Sequence, residues 1–221
     1  MPAATSSHPA AVRVALSEPR FGTYLTATNG DEVLAVALYG WNARMSAALM
    51  LPAHFAEVAT RNGAADALES IYGHRWPWSK AFTRSLPTSS GVTPTYSPRR
   101  DLSQTRDRCA TPGKVIAELK FAFWQKLFTA RHDQAVWDRT LLLAFPNAGS
   151  LTVAQLRGRI YDDLEQIRLV RNRIAHHEPI FTRNHSDDLR RMLELVAMRS
   201  APTAQWVQAM EDVSAVNADR P

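Results

Sequence analysis

The residues best suited to chemistry lie in one segment, RLVRNRIAHHEPIF, which spans residues 168–181. It combines arginines, an asparagine, two adjacent histidines and a glutamate. Histidine titrates near neutral pH and can serve as a general acid or base. Arginine adds a permanent charge and a planar fork of donors that suits a phosphate gaining charge in a transition state. The combination favours phosphodiester chemistry on RNA, whose own 2′-hydroxyl is the nucleophile and needs no metal-bound water.

Helical geometry limits how these side chains can meet. Successive residues of an α-helix are rotated by ~100°, so Asn172 and His176 share a face, whereas Arg171 and His176 are ~140° apart. The helix could tighten or unwind ahead of Pro179, which restricts the residue before it. Alternatively, two copies of the helix end could face each other across the axis of a homodimer. We expect a homodimer, and both routes stay open.

Two other interpretations of the segment compete with catalysis. A metal site is disfavoured, because adjacent ligands point ~100° apart on a helix and the arginines would repel a divalent cation. We therefore expect no metal and no cofactor. Arginine and histidine also stabilise the negative end of a helix dipole. Such capping explains Arg173 or His177 alone, but explains less well why Arg171, Asn172 and His176 occur together.

The elements that position this segment are predicted to be helices. Apolar residues recur at helical spacing from residue 31, with a break expected near Pro52 and an end at Gly73. The longest predicted helix starts at Thr152, a suitable N-cap, and runs to His177. Its apolar stripe consists of Leu156, Ile160, Leu164, Ile167 and Ile174. Strand patterns are nearly absent, so the fold class is predicted to be an all-α bundle.

Two stretches lack helical periodicity. Residues 1–20 are rich in Ala, Ser and Pro and are predicted to form a flexible arm, with residues 21–221 as a single helical domain. Residues 79–113 contain several prolines and many Ser and Thr, and predict a long irregular insert between the two halves of the bundle. A short helix is expected within it at residues 101–108. We expect this insert to be mobile, or ordered only by a partner.

Composition bounds the function more loosely. The net charge is +5, and arginine carries it, with 22 Arg against 4 Lys. This excess suits a polyanionic partner such as RNA, although the coding bias of a GC-rich genome explains the bulk charge equally well. Cys109 is the single cysteine, so no intrachain disulfide can form, and we expect no role for it. With no secretory signal and no apolar run of about 18 residues, we expect no membrane span and a cytoplasmic location.

Several motifs resemble one protein superfamily. RNRIAHH carries the Arg-polar-x-x-x-His motif of the HEPN ribonuclease superfamily, on Arg171, Asn172 and His176. The chain more narrowly resembles the Abi-like (abortive infection, AbiD/AbiF-type) proteins of bacteria. YGWN at residues 39–42, FAEVATRN at 55–62 and GKVIAELKFAFWQKLF carry this narrower resemblance, with Ala122 where Gly is usual. It covers about residues 30 to 200.

The resemblance implies an all-α HEPN bundle and a metal-independent endoribonuclease that restricts phage or acts as a toxin. His176 would be the acid/base, Arg171 the clamp on the transition state and Asn172 the orienting residue, with two protomers facing one cleft. Residues expected to support catalysis or contact RNA are His177, Glu178, Arg173, Arg168, Arg61 and Asn62. The pair Arg61 and Asn62 suits a buried structural role equally well.

A second function is compatible with the same motifs. The chain could be a non-catalytic HEPN module that binds RNA or a protein partner and regulates it, because bundle homologues without catalysis exist in the superfamily. The partners expected from the first hypothesis are an RNA substrate, a second copy of the chain and an antitoxin made of RNA or protein. Cleavage of RNA by the purified protein separates the two hypotheses.

Overall fold

The computed structural model describes residues 9–88 and 96–221, and every regular element within them is a helix. The α-helices of this described part are α1 (Pro9–Leu16), α2 (Glu18–Ala27), α3 (Glu32–Tyr72), α4 (Lys80–Ser85), α5 (Pro98–Arg106), α6 (Pro112–Glu118), α7 (Phe121–Leu127), α8 (Asp138–Ala144), α9 (Val153–Ala175), α10 (His185–Arg199), α11 (Ala201–Met210) and α12 (Val213–Ala218). Short 3-10 turns at Trp76–Trp78 and Ala130–His132 and a π-helical turn at Asp133–Trp137 complete the set. The predicted all-α class is confirmed.

Helix α3 is the central element. Its 41 residues begin after Asp31, whose side chain accepts a hydrogen bond from the Leu34 amide, and end at Gly73, where φ is 81°. The predicted break at Pro52 is wrong. Proline costs a helix interior about 3 kcal/mol. Burial of Leu49 and Ala53 on either side of it, against the helices that pack along α3, outweighs this cost. As a result α3, and not α9, is the longest helix described.

Helix α9 follows its prediction closely. Thr152 and Gln155 form a reciprocal capping box at its start, with the Thr152 side chain accepting from the Gln155 amide. The stripe residues Leu156, Ile160, Leu164 and Ile167 are buried, whereas Ile174 is half-buried. The stripe packs against α3, α7, α8 and α10, and so fixes the direction in which the last turn of α9 points.

The predicted N-terminal arm differs from the structure over residues 9–20. These residues form α1 and the first turn of α2, and α2 is held to the bundle by the buried side chains of Phe21 and Tyr24. The apolar periodicity of residues 9–20 is weak because α1 buries none of its residues and α2 buries few. Residues 1–8 lie outside the described part of the chain, and the flexibility of the arm stays a prediction.

The predicted irregular insert differs from the structure over about half of its length. Helices α4, α5 and the start of α6 occupy it, and Phe82, Leu86 and Leu102 are buried. The short helix expected at residues 101–108 lies at Pro98–Arg106. Proline at the first helical position starts both α5 and α6 here rather than disrupting structure. Residues 89–95 lie outside the described residues.

The core is rich in aromatic side chains. Trp41, Trp76, Trp124 and Trp137 are all buried. The segment GKVIAELKFAFWQKLF divides into α6 and α7 at Leu119 and Lys120. Among the helices described, none combines the length and apolar character needed to cross a membrane.

Candidate functional site

The histidine pair occupies the turn that closes α9. His177 donates its amide to the Ile174 carbonyl at 3.0 Å, and Glu178 donates its amide to the Arg173 carbonyl at 2.7 Å. These two bonds are those of a Schellman closure, in which the residue after the cap adopts a left-handed conformation. That residue is His177, with φ of 55°. Glycine usually occupies this position because it avoids a cost of about 1 kcal/mol, so the chain tolerates strain here.

The loop after the turn is anchored by α3 and α10. The buried Asn42 side-chain oxygen accepts a hydrogen bond from the Ile180 amide at 2.8 Å. The Ile180 carbonyl accepts one from His185 Nε2 at 2.9 Å, and the ring of His185 packs edge-on against Trp41. The pKa of His185 is lowered, chiefly because the ring is buried. The YGWN motif thus anchors the backbone that follows the histidines.

Two hollows border the turn, and His177 lines both. One, of about 250 Å³, lies between α2, α3 and the end of α9, where Tyr24, Tyr39 and Asn42 form its wall. Burial raises the pKa of Tyr24 to about 12. The other, of about 320 Å³, lies between the start of α2 and the turn. We call this second hollow the histidine groove; its lining residues are Ser17, Pro19, Arg20, Thr23, His176, His177, Glu178 and Pro179.

An arginine that the sequence analysis did not single out reaches the turn. Arg20 Nη1 donates to the His177 carbonyl at 2.6 Å, across 157 positions of sequence. The bond joins the first turn of α2 to the carbonyl end of α9, where a cation is favoured by the helix dipole. Arg20 lies in the segment expected to be a loose arm, so no local pattern pointed to it. Asn42, by contrast, belongs to a motif that carried the family resemblance.

Arg171 does not join the histidines. Its Nη1 lies 2.9 Å from Glu57 Oε2, and its guanidinium lies over the Phe121 ring, 5.2 Å from the centroid. It therefore ties α9 to α3 and α7, and it does not line the histidine groove. This agrees with the ~140° that separates Arg171 from His176 on a helix. Asn172 is exposed, and its backbone carbonyl accepts the His176 amide at 3.0 Å.

The other two arginines of the segment are engaged in local contacts. Arg173 donates twice to the Pro179 carbonyl, at 3.1 and 2.7 Å, and lies 3.7 Å from the Glu178 carboxylate, so it braces the turn. Arg168 donates to both carboxylate oxygens of Glu165, at 2.9 and 2.6 Å. This interaction is the main reason that the pKa of Glu165 is lowered.

The second predicted polar pair lies on α3. Arg61 is half-buried one turn beyond Glu57, and its Nε is buried without a hydrogen-bond partner among residues 9–88 and 96–221. Asn62 is exposed and rotated by ~140° from Glu57. Neither residue lines the two hollows beside the histidines. Within the same described residues, no three His, Cys, Asp or Glu side chains are grouped as metal ligands.

No protein-family model, no curated protein and no solved structure matches this chain. The resemblance to the Abi-like proteins and to the HEPN superfamily therefore stays a prediction, carried by the motifs alone. The closing turn of α9 and the histidine groove are the features that bear on function.

Proposed function

We propose that this protein is a metal-independent endoribonuclease of a bacterial phage-defence (abortive infection) or toxin–antitoxin system, which cleaves RNA by attack of the 2′-hydroxyl. The observation that carries the proposal is the closing turn of α9. It presents His176 and His177 to solvent in one groove, on a backbone that is strained at His177 and held from outside the helix by Arg20 and Asn42. A general acid or base must be held in place to be effective, and such anchoring supports that use.

In this proposal the histidines carry the proton transfers. His176 removes the proton from the 2′-hydroxyl as that oxygen attacks the phosphorus, and the P–O5′ bond breaks. The 5′-oxygen leaves with a proton from a general acid, and His176 can serve both steps because the proton that it takes from the 2′-hydroxyl can be passed to the 5′-oxygen. His177 supports it from the same groove. Asn172 lies four residues before His176, on the same face, and is proposed to orient it.

The role of Arg171 requires a rearrangement or a second protomer. Within one chain its guanidinium is paired with Glu57, so a phosphate would have to displace that carboxylate. We propose a homodimer in which the ends of two α9 helices approach the axis, since the Arg171–His176 spacing serves catalysis poorly within one helix.

The same ion pair favours a second candidate function. If Arg171 serves only to join α9 to α3 and α7, the chain is a non-catalytic HEPN module that binds RNA or a protein partner. The histidine groove would then be a recognition surface, and loss of His176 would change binding without any associated cleavage.

Expression in bacterial cells separates the two functions. Wild type, His176→Ala and His74→Ala are compared for growth arrest and for the integrity of total RNA. His74 is an exposed histidine paired with Glu69, and it does not line the histidine groove, so its replacement is a matched control. The nuclease proposal expects arrest and RNA fragmentation with wild type and His74→Ala, and neither with His176→Ala. Intact RNA in all three strains contradicts it.

A further inference from the structure

Among the residues that the structure describes, the arginines around the closing turn of α9 lie beside carboxylates, with one exception. Each arginine of the 168–181 segment has a carboxylate partner. These pairs are Arg168 with Glu165 at 2.6 Å, Arg171 with Glu57 at 2.9 Å and Arg173 with Glu178 at 3.7 Å. An anion approaching any of these arginines must compete with a carboxylate already in place. This arginine-rich segment thus offers little positive charge that is not already paired.

Arg20 is the exception. It is exposed, it lines the histidine groove, and its contact with the turn is to a neutral carbonyl, that of His177. Within residues 9–88 and 96–221 it has no carboxylate within ion-pair distance. A guanidinium has five N–H donors in a fixed fork, and this bond uses one nitrogen. The carbonyl therefore holds the side chain in place while leaving its charge available, which is a preorganised cation.

Two carboxylates close to the groove have other arginines as their ion-pair partners. Glu18, two positions before Arg20, lies 2.6 Å from Arg13. Glu178, on the opposite wall of the groove, pairs with Arg173. The remaining polar groups of the groove are the hydroxyls of Ser17 and Thr23 and the two histidine rings, which can donate hydrogen bonds to an anion.

We propose that the histidine groove binds a phosphate group, and that Arg20, rather than Arg171, is the cation that holds it within one protomer. The inference rests on the proposed function only in taking RNA as the source of that phosphate. A free phosphate or a mononucleotide presents the same chemistry to the groove, so the test includes each source.

Binding is measured without cleavage, by fluorescence anisotropy of a labelled single-stranded oligoribonucleotide with 2′-O-methyl groups throughout. Removing a charge-assisted contact usually weakens binding about tenfold or more, so Arg20→Gln should lose about that factor. The slope of log affinity against log salt should fall by about 0.7, the value for one phosphate contact on a single strand. Arg20→Lys should recover the slope but only part of the affinity, because an ammonium lacks the planar fork.

Two variants with the same change of charge act as controls. Arg139→Gln removes an exposed arginine of α8 that does not line the groove, and should bind as wild type does. Arg171→Gln should reduce affinity much less than Arg20→Gln, and thermal unfolding shows whether the loss of its Glu57 pair has altered the fold. Wild-type affinity and salt slope in folded Arg20→Gln would overturn the proposal. So would an equal loss in folded Arg171→Gln.

Competition with inorganic phosphate and with adenosine monophosphate identifies the source. Displacement of the oligonucleotide from wild type only at concentrations far above that of the oligonucleotide supports RNA, and displacement at similar concentrations supports a small phosphate. No displacement by either, together with an unchanged salt slope in Arg20→Gln, contradicts a phosphate site. Arg20-dependent binding without cleavage of unmodified RNA would overturn the proposed nuclease and leave this site standing. Cleavage of unmodified RNA by Arg20→Gln with the kcat/KM of wild type would overturn the phosphate site at Arg20 and leave the proposed nuclease standing.

Discussion

Two of the turns of this protein that carry histidines close to arginines have opposite environments. His132 follows Arg131 in the turn before the π-helical segment, and it is 1% exposed, with neither ring nitrogen hydrogen-bonded among the described residues. Burial, and secondarily the charge of Arg131, lowers the pKa of His132 to about 4. His176 and His177 follow Arg171 and Arg173 but are exposed in a groove. The sequence alone does not distinguish His132 from His176 and His177. The difference lies in their exposure to solvent and in the contacts that anchor the backbone.

Substitutions in the two turns should affect different properties, activity in one and folding stability in the other. A histidine used for chemistry should be dispensable for folding, and a buried histidine should be dispensable for chemistry. Substitutions of His176 and His132 therefore test activity and stability in opposite ways.

His176→Ala should lower the rate of RNA cleavage by about 10²–10⁴, the usual effect of losing a positioned general acid or base. Its free energy of unfolding should change by less than about 0.5 kcal/mol, because the side chain is exposed. His132→Leu should leave the rate per folded molecule unchanged. The two quantities are measured by cleavage of a labelled RNA in EDTA and by denaturant unfolding. Equal cleavage by wild type and His176→Ala would remove the distinction between the turns.

The pH dependence of stability should reveal the buried histidine. The pKa of His132 is lowered from 6.5 to about 4, so below pH 6.5 the unfolded chain binds a proton that the folded chain excludes. The contribution of His132 to the free energy of unfolding is constant above pH 6.5. As the pH falls towards 4, protonation of the unfolded chain lowers that free energy by about 3 kcal/mol, at 1.36 kcal/mol per pKa unit. We expect the free energy of unfolding of His132→Leu to fall less between pH 7 and pH 4 than that of wild type, by the same amount. Urea unfolding at pH 7, 5.5 and 4 measures it. Parallel curves for the two proteins would refute the assignment.

Asn42→Ala should destabilise the fold by about 1–3 kcal/mol, because it leaves the buried Ile180 amide without its acceptor. Hydrogen exchange of the Ile180 amide should accelerate, since this bond ties the loop after the histidines to α3. Asn62→Ala is the matched control: Asn62 lies on the same helix but is exposed, and a change below about 0.5 kcal/mol is expected. If both variants lose equal stability, Asn42 does not anchor the loop in the way described.

His177→Gly should be more stable than His177→Ala by up to about 1 kcal/mol, because glycine adopts the left-handed conformation at φ of 55° without strain. Both variants remove the imidazole, so the difference isolates the backbone. We expect His177→Ala to reduce cleavage less than His176→Ala does. Thermal unfolding measures the first effect, and a glycine variant less stable than the alanine variant would show that the turn is not strained at this position.

Local patterns predicted the parts of the fold that local physics determines. The all-α class, the Thr152 cap, the end of α3 at Gly73 and the buried stripe of α9 follow from periodicity and capping chemistry. The continuity of α3 through Pro52 could not be predicted, because long-range packing on both sides of the proline overrides its cost. Within residues 79–113 the short helix expected at 101–108 lies at Pro98–Arg106, but α4 and the start of α6 were missed. The helices within residues 9–20 were missed because few buried side chains give them a periodic pattern.

The candidate site divides in the same way. The motif located His176 and His177 because their residue types and spacing are local properties. Helical rotation implied that Arg171 and His176 lie on different faces of a straight helix, but the pairing of Arg171 with Glu57 depends on how α9 packs. Arg20 was not predicted, because its contact with His177 joins residues 157 positions apart. The arginine proposed for phosphate binding therefore becomes visible only in three dimensions.

The chemistry of the cleaved ends tests whether the 2′-hydroxyl is the nucleophile. Purified protein is incubated in EDTA with an RNA oligonucleotide and with the same strand carrying a single 2′-deoxyribose at the cleaved position. Attack by the 2′-hydroxyl predicts a 2′,3′-cyclic phosphate and a 5′-hydroxyl from the first strand, and no cleavage at that position of the second. Cleavage of the deoxy-substituted strand, or 3′-hydroxyl products that disappear with EDTA, would contradict the account.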